Sequence, residues 1–318
     1  MNYDEIKKQL CGCYVTVPTL FNDTDLSVNQ KGIEKHVEFL ISSGIRERNG
    51  VLLAGGAAGD FSTMTLEERV SVCETVVSAA DGQVPVAFGA QTTSTRELIE
   101  LAKAAASAGA KFIQVSPPFY FSHTEDDFFE YIVAAADSAD IGIIIYNTFW
   151  TSLQVSEELI DRLADIPQVV GLKWSVPDTD WASFESSISK YSSRFSIIDN
   201  QLRFVTSHML GARGIEVHTC NYWPQWGVRM WELLENQSYV EAQGEIMKVV
   251  IPFMDLWKEM EQYTGGDGYL DKLCMELVGM DSSRNRPPTR DLRNQFRHKA
   301  HQMMAQSGVP RLIKINSE

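Results

Sequence analysis

Two short apolar runs decide the fold: Ile143-Ile144-Ile145-Tyr146-Asn147 and, further along the chain, Val169-Val170-Gly171-Leu172-Lys173-Trp174. Each run has the length and composition of a fully buried strand. Each also places a polar side chain near its end, Tyr146 in the first and Lys173 in the second. A lysine that closes a buried strand is costly unless its charge is paired or removed. This pattern indicates either a nucleophilic amine, because desolvation favours the neutral form, or a lysine whose long stem reaches solvent.

Runs of this kind recur as far as residue 218, and they alternate with segments of helical periodicity. Helix starts are predicted from Ser27 as an N-cap, from capping boxes at Thr65 with Glu68 and at Ser94 with Glu97, and from Ser156. Eight strands joined to the intervening helices by short connections are typical of a closed parallel barrel. The predicted fold class is therefore α/β, a (β/α)8 TIM barrel. Its predicted strands are 13–17, 50–54, 84–88, 111–115, 141–146, 169–173, 195–198 and 214–218.

The pattern changes to helices alone after Asn221. Apolar residues follow helical spacing over 226–262, and further helices are predicted to the end of the chain. No low-complexity linker separates this part from the barrel. We therefore expect a catalytic barrel over residues 1–224 and a C-terminal helical segment over 225–318 that packs on the barrel.

Composition limits the partners and the location of the protein. The formal net charge of −14 disfavours nucleic acid and anionic membrane surfaces as partners. The 5 cysteines are scattered and odd in number, which suits a reducing compartment better than a disulfide framework. The start of the sequence lacks the apolar stretch of a signal peptide, and no apolar run approaches the ~18 residues of a membrane span. The expected location is the cytoplasm. No metal site is expected, because the histidines and cysteines show no ligand spacing.

Strand alternation predicts which polar side chains share the barrel interior. Tyr146, Lys173, Glu216 and His218 fall on the inward face near the carboxyl ends of their strands. Active sites of such barrels lie at those ends, so the four groups are expected to converge there. Each has a structural alternative, as a satisfied core hydroxyl for Tyr146 and as a buried pair for Glu216 with His218.

Several short motifs occur in a fixed order over almost the whole chain. They are Gly56-Ala57-Ala58-Gly59-Asp60, Leu66-Glu67-Glu68-Arg69, Ser116-Pro117-Pro118-Phe119-Tyr120, Tyr146-Asn147, Gly171-Leu172-Lys173, Gly211-Ala212-Arg213-Gly214-Ile215, Asn221, Pro224, Leu273 to Gly279, and Arg286-Pro287-Pro288. In this order and at this spacing they resemble the dihydrodipicolinate synthase/N-acetylneuraminate lyase family, of which the chain looks like an atypical member.

The resemblance implies a class I lyase or aldolase that acts on a pyruvate-type 2-oxo acid and needs no cofactor other than a covalent imine. It implies that Lys173 forms this imine and that Tyr146 moves protons beside it. Tyr120 corresponds to the tyrosine that completes a proton relay across a subunit interface, in a homotetramer or homodimer. Ala57 and Ala58 correspond to the turn whose backbone N–H groups bind the substrate carboxylate.

Two departures from the family pattern concern chemistry and substrate. Ala57 and Ala58 stand where hydroxyl residues are usual, so the hydroxyl that links the two tyrosines is missing. The segment 147–152 has no arginine, whereas the synthase that makes the lysine precursor uses one there for its second substrate. The sequence therefore predicts a relative of dihydrodipicolinate synthase and not that enzyme itself.

The remaining candidates for substrate binding follow strands five, seven and eight. Glu216 replaces a residue that is usually small, and its carboxylate is a candidate general base or acceptor for a polyhydroxy substrate. Asp199 and Asn200 are candidates for similar contacts. Ile215 belongs to a family motif. Trp150 suggests a bulkier or more apolar second substrate, with packing of the lid as its alternative.

Three reactions use the same imine: aldol cleavage or condensation, dehydration of a 2-keto-3-deoxy sugar acid, and deamination of a related cyclic acid. We expect the first, with the other two as alternatives. An alternative of another class is a non-catalytic protein that binds a 2-oxo acid.

Overall fold

The computed structural model describes residues 2–315 and divides into two compact units. The first comprises Met1–Tyr14, Arg46–Leu53 and Asp81–Glu216, and the second Val15–Ile45, Ala54–Ala80 and Val217–Glu318. The predicted division after residue 224 stays a prediction. Within residues 2–315, no helix combines the length and the apolar character that crossing a membrane requires.

Eight strands form a closed barrel in which each strand is hydrogen-bonded to the next one along the chain, and the last closes on the first. Buried residues fill every strand, which explains why the sequence shows continuous apolar runs there. The predicted (β/α)8 class is confirmed. The strands are β1 Gly12–Thr16, β2 Gly50–Ala54, β3 Val86–Gly89, β4 Phe112–Val115, β5 Gly142–Tyr146, β6 Val169–Trp174, β7 Ser196–Asp199 and β8 Gly214–Glu216.

Helices alternate with these strands and continue after the eighth. The described α-helices are α1 Tyr3–Gln9, α2 Gln30–Ser42, α3 Leu66–Ala80, α4 Thr95–Ala108, α5 Glu125–Ser138, α6 Glu157–Leu163, α7 Trp181–Tyr191, α8 Phe204–Met209, α9 Pro224–Glu235, α10 Tyr239–Glu245, α11 Ile251–Met260, α12 Tyr269–Leu277 and α13 Arg293–Ser307. A π-helical turn, Ile246–Val250, joins α10 to α11 just before Pro252. The helical spacing of 226–262 is thus realised as two helical stretches, with the break at residues 236–238 between α9 and α10.

The helix caps test the sequence predictions one by one. The capping box at the start of α3 is confirmed, because Thr65 N donates to Glu68 Oε2 at 3.0 Å and Glu68 N donates to Thr65 Oγ1 at 3.2 Å. Ser156 caps α6 as predicted. The prediction for α2 was wrong, since its N-cap is Asn29 and not Ser27. Asn29 accepts from Gly32 N at 3.0 Å.

The N-terminal helix α1 contributes to the core of the barrel. Ile6 and Leu10 belong to one buried cluster with inward-facing residues of the strands, among them Tyr14 and Ile144. The fit against β6 depends on a missing side chain, because a Cβ on Gly171 would lie 2.4 Å from Leu10 Cδ2. Lys173 follows two residues later on the same face of β6, so the packed core lies directly beneath it.

Candidate active site

Strand register brings the predicted lysine and tyrosine together. Tyr146 is the partner of Lys173 in the β5–β6 ladder. The Lys173 ammonium nitrogen lies 4.5 Å from the centroid of the Tyr146 ring and 3.3 Å from Glu216 Oε2. The lysine side chain is only 5% exposed, so its charge is paired inside the barrel and its stem does not reach solvent. The convergence predicted for these three residues is present in the structure.

A second tyrosine completes the walls around this ion pair. Tyr14 is the partner of Glu216 in the β1–β8 ladder, and its ring centroid lies 5.4 Å from Lys173 Nζ. Burial first, and then the neighbouring Glu216 and Tyr146, raise the pKa of Tyr14 well above its usual value. Its hydroxyl donates to Gln114 Oε1 at 3.1 Å. Tyr14 therefore stays a neutral phenol beside the carboxylate.

Sequence reasoning missed Tyr14 and Gln114, although a signal for each was present. Tyr14 alternates with Gly12 and Thr16 in β1, which places it on the inward face. Gln114 interrupts the apolar strand β4, and its side chain is fully buried. A polar residue inside a buried strand was the criterion that singled out Lys173, and it applies equally to Gln114.

The Tyr146 hydroxyl is held by the loop after β7. Asn200 Nδ2 donates to it at 3.4 Å and lies 3.5 Å from Ser175 Oγ. Ser175 is itself anchored, because its carbonyl accepts from Asn147 Nδ2 at 2.8 Å. Asn147 also accepts from Val155 N at 3.0 Å, which ties the loop after β5 to the loop after β6. The Asn200 amide thus forms a hydrogen bond with the Tyr146 hydroxyl.

Aromatic residues border Tyr146 on its other side. The Trp150 ring meets the Tyr146 ring edge-on with centroids 5.8 Å apart, and Phe149 meets Trp150 edge-on at 5.1 Å. Trp150 is 52% exposed, so its ring lies partly in solvent. Over 147–152 the sequence has no positively charged side chain. The approach to Tyr146 is therefore apolar on this side.

Asp199 lies on the opposite face of the barrel wall from Lys173. Ile198, not Asp199, is the register partner of Lys173, and Ile198 belongs to the barrel core. Asp199 accepts from Ser207 Oγ at 2.5 Å and from Gln201 N at 2.6 Å. Burial raises the pKa of its carboxyl to about 6. This geometry corrects the expectation from sequence, because Asn200 and not Asp199 faces Tyr146.

Ile215, like Asp199, points away from the barrel interior. It is the register partner of Asp199 in the β7–β8 ladder and of Cys13 in the β8–β1 ladder, whereas its neighbour Glu216 points inward. The Ile215 side chain is buried on the outer face of the strand. Of this residue, therefore, the backbone and not the side chain lines the barrel wall around Lys173.

The predicted position of His218 was wrong, because β8 ends at Glu216 and a short 3₁₀-helix begins at His218. The residue belongs to the second unit, where its Nδ1 lies 3.1 Å from Asp271 Oδ2 and its ring stacks on Phe253. The Asp271 carboxylate also accepts from Asn221 Nδ2 at 2.9 Å. His218 is thus a member of a buried polar network rather than the next residue on a strand face.

Ala57 and Ala58 also lie in the second unit, in the tight turn that leads to the 3₁₀-helix Phe61–Thr63. Gly59 N and Asp60 N donate within the turn, at 3.0 and 2.9 Å. Asp60 ends it with a φ of 62° and points its carboxylate at Lys272 Nζ, 3.6 Å away. The turn is therefore anchored by a buried ion pair at its carboxyl end.

Tyr120 stands apart from the residues around Lys173. Its side chain is 87% exposed, and its ring meets Phe121 edge-on with centroids 4.8 Å apart. Its φ of 88° lies in the left-handed region that non-glycine residues rarely adopt. The predicted role of this tyrosine across a subunit interface stays a prediction.

The sequence profile of the dihydrodipicolinate synthetase family matches residues 9–307. The chain belongs to this family. Members of the dihydrodipicolinate synthase/N-acetylneuraminate lyase family are class I Schiff-base lyases, so the protein is an enzyme of that class. Among residues 2–315, no three His, Cys, Asp or Glu side chains are grouped to hold a metal ion.

Relatives of the chain include proteins named 4-hydroxy-tetrahydrodipicolinate synthase. The 4-hydroxy-tetrahydrodipicolinate synthase of Methanopyrus kandleri is 29% identical over 289 residues, which cover 90% of this chain and 92% of that protein. The synthase of Chloroherpeton thalassium is 34% identical over 169 residues, which cover 52% of this chain and 54% of that protein.

Solved structures in the family share the barrel fold. YagE, a prophage protein from E. coli K12 solved in complex with pyruvate, superposes with a TM-score of 0.83 at 23% identity, covering 94% of this chain and 99% of that chain. N-acetylneuraminate lyase from Fusobacterium nucleatum superposes with a TM-score of 0.80 at 19% identity, covering 93% and 98%. At these identities the similarity establishes the fold.

Proposed function

We propose that Lys173 forms an imine with a pyruvate-type 2-oxo acid and that the enzyme uses this imine to make or break a carbon–carbon bond. The observation that carries the proposal is the buried Lys173 amine, which lies between Glu216 and Tyr146. A neutral amine attacks the ketone carbon of the substrate. The resulting iminium withdraws electrons from the neighbouring bond and stabilises the carbanion that bond cleavage or formation requires.

The residues around the amine have distinct roles in this proposal. Tyr146 exchanges protons with the bound substrate, while Asn200 holds its hydroxyl in place. The backbone N–H groups of Ala57 and Ala58 bind the substrate carboxylate, since successive amides in a tight turn form an anion site without hydroxyl side chains. The Ile215 backbone and the Glu216 carboxylate line the site beside the ketone.

The second substrate, in our proposal, differs from that of dihydrodipicolinate synthase. The relatives described above carry the synthase name, but this chain has no cation over 147–152 with which to bind a second carboxylate. Trp150 and Phe149 occupy that approach with aromatic rings. An aldehyde or ketone partner with a bulky or apolar body suits these rings better than an anionic one.

A dehydratase acting on a 2-keto-3-deoxy sugar acid is the second candidate, and one observation favours it. The Glu216 carboxylate lies beside Lys173, and the Asn200 amide lies beside Tyr146. Hydrogen-bonding groups at such positions suit a substrate with several hydroxyls. A site that binds hydroxyls discriminates strongly against analogues that lack them.

Borohydride reduction tests the proposal directly. Incubation with pyruvate, or with members of a panel of 2-oxo acids that includes 2-keto-3-deoxy sugar acids, should add the reduced substrate to Lys173, as measured by intact-protein and peptide mass. The control is Lys173→Arg, which keeps the positive charge beside Glu216 but cannot form the imine. Absence of any adduct across the panel would contradict the proposal and favour a non-catalytic binding protein.

A further inference from the structure

The Lys173–Glu216 pair has a property that matters for any reaction at the lysine nitrogen. The two side chains are only 5% and 11% exposed, and their charged atoms lie 3.3 Å apart. As ammonium and carboxylate, the pair carries no net charge. Removing either charge alone would take away this buried counter-charge from the other, which is unfavourable. A change in the charge of the nitrogen is therefore energetically unfavourable unless the charge of the carboxylate changes at the same time.

We propose that Glu216 is the proton partner of Lys173, which accepts a proton whenever the nitrogen loses its positive charge and returns one whenever the charge is restored. The inference rests on the proposed imine chemistry and assigns to Glu216 the proton transfers that accompany a change of charge on the lysine nitrogen, while Tyr146 keeps the exchange of protons at the substrate carbon. A carboxylate within hydrogen-bonding distance of the reacting nitrogen has the geometry of a general acid–base.

Imine formation balances under this scheme. The Lys173 ammonium first gives a proton to Glu216, and the free Nζ lone pair forms a bond to the ketone carbon while the carbonyl electron pair moves to oxygen. Glu216 returns the proton to that oxygen. The carbinolamine nitrogen then gives its extra proton to Glu216, which passes it to the hydroxyl as the C–O bond breaks. The products are one water, an iminium and a carboxylate, so the pair is again neutral overall.

Carbon–carbon cleavage balances in the same way. The substrate carries a hydroxyl on the carbon two bonds away from the imine carbon. The proton of this hydroxyl moves to Glu216, and the O–H electron pair forms the double bond of a new carbonyl. The electrons of the broken C–C bond become the enamine double bond, and the iminium nitrogen becomes neutral. Glu216 is then a neutral acid beside a neutral nitrogen. Condensation follows the same steps in reverse.

Tyr14 and Asn200 do not offer an equivalent proton acceptor. Tyr14 stays neutral because its pKa lies well above the usual value, and its hydroxyl is committed to Gln114. Asn200 holds the Tyr146 hydroxyl, but an amide does not exchange protons readily. Glu216 is thus the ionisable carboxylate in contact with the nitrogen.

The test compares rates of borohydride trapping with pyruvate for the wild type, Glu216→Gln and Glu216→Asp. Loss of a general acid–base should slow trapping in Glu216→Gln by about 100-fold or more. Glu216→Asp keeps a carboxylate and should retain a rate within about tenfold of the wild type. Glu157→Gln, the same substitution on the exposed face of α6, serves as the matched control.

A purely electrostatic role predicts the opposite result. If Glu216 only balanced the lysine charge, glutamine would disfavour the starting ammonium and the iminium alike, and because these two effects oppose each other the trapping rate would stay close to that of the wild type. That outcome would overturn the inference while leaving the proposed function intact. A wild-type protein that no 2-oxo acid modifies would instead remove the proposed function itself.

Chemical rescue keeps the test decisive if Glu216→Gln folds poorly. Glu216→Ala leaves a small cavity beside Lys173, and formate in the buffer supplies a carboxylate that fits it. Rescue of the trapping rate by about tenfold or more, without a change in the thermal unfolding temperature, supports proton transfer. A rate in Glu216→Ala that equals the wild type, or that formate does not raise, counts against it.

Discussion

The hydroxyl of Tyr146 accepts its hydrogen bond from the Asn200 amide at 3.4 Å. A hydroxyl neighbour can pass a proton on, but an amide donor can only orient the oxygen and stabilise negative charge on it. At the scale of single residues, the Asn200 amide is therefore a positioning group and not a proton carrier. Asn200 positions the tyrosine, and the proposed proton partner Glu216 lies against the lysine.

Asn200→Ala should slow proton exchange at the bound substrate without preventing imine formation. Loss of one hydrogen bond to the reacting hydroxyl corresponds to about a tenfold lower rate. The measurement is exchange of the pyruvate methyl protons with D2O by NMR, which does not require the second substrate to be known. Borohydride trapping of pyruvate on Lys173 should remain within about twofold of the wild type.

Asn236→Ala, the same change at the exposed end of α9, is the control and should leave both rates unaltered. Equal loss of trapping and of exchange in Asn200→Ala would show a collapsed site rather than a misplaced tyrosine. An unchanged exchange rate would show that the Tyr146 hydroxyl does not depend on this amide.

The residue types in the sequence predicted Lys173 and Tyr146 at the centre of the site, but not all of the residues that contact them. Lys173 and Tyr146 were recognisable because a polar group ends an otherwise apolar strand. Tyr14 was not, because tyrosine is also a common core residue and a one-residue alternation in β1 is a weak signal. Hydrogen bonds such as that from Asn200 to Tyr146 join residues far apart in sequence, so no local pattern predicts them.

At the scale of secondary-structure elements, the register of β7 decides what its last residue does. Asp199 points away from the barrel interior and accepts a hydrogen bond from Ser207, a residue of α8. It also accepts from Gln201 N in the loop that carries Asn200. The buried carboxyl thus joins β7 to α8 and fixes the loop between them.

Asp199→Asn should change how stability depends on pH. Burial raises the folded-state pKa of this carboxyl from 3.8 to about 6. Folding therefore favours the protonated acid, and its contribution to the free energy of unfolding is complete below pH 4 and declines as pH rises to 6. A shift of about two units corresponds to about 3 kcal/mol.

The asparagine variant cannot titrate and should lack this decline. The free energy of unfolding, measured by urea denaturation at pH 4 to 7, should fall less steeply with pH in the variant than in the wild type. Parallel curves for the two proteins would contradict the assignment of a raised pKa to Asp199.

Element boundaries were predictable where the sequence carries a local stop signal. The capping box of α3 and the serine cap of α6 were correct because each depends on side chains within a few residues. The end of β8 was not predictable in this way. Val217 and His218 continue the alternating pattern, but the backbone leaves the strand after Glu216 so that His218 can contact Asp271 from α12. A partner more than fifty residues away therefore overrides the local pattern.

At the scale of the whole molecule, the described chain leaves a large aromatic surface uncovered at Tyr120 and Phe121. The two side chains are 87% and 69% exposed and meet edge-on. The resemblance to the family leads us to propose that this pair enters a contact between subunits in a homotetramer or homodimer. Aromatic residues of this kind often dominate the energy of such contacts.

Tyr120→Gly tests this proposal through stability. A glycine accepts the φ of 88° without strain, which is worth about 1 kcal/mol to the separate subunit. The same change removes an aromatic ring from the proposed contact. The thermal unfolding temperature should therefore rise with protein concentration in the wild type, and this dependence should be weaker in Tyr120→Gly.

Tyr120→Phe is the control, because it keeps the ring and the strained backbone and removes only the hydroxyl. It should match the wild type in concentration dependence. A Tyr120→Gly protein that is less stable than the wild type at every concentration would contradict the assignment of strain to this residue.

The left-handed backbone at Tyr120 has a consequence for how the sequence can change over evolutionary time. Selection for stability of the separate subunit alone would favour glycine at this position, since it removes the strain and an exposed ring together. The proposed contact between subunits would offset that cost in the assembled protein. Substitutions at this position that make the isolated chain more robust are therefore expected to weaken the proposed contact.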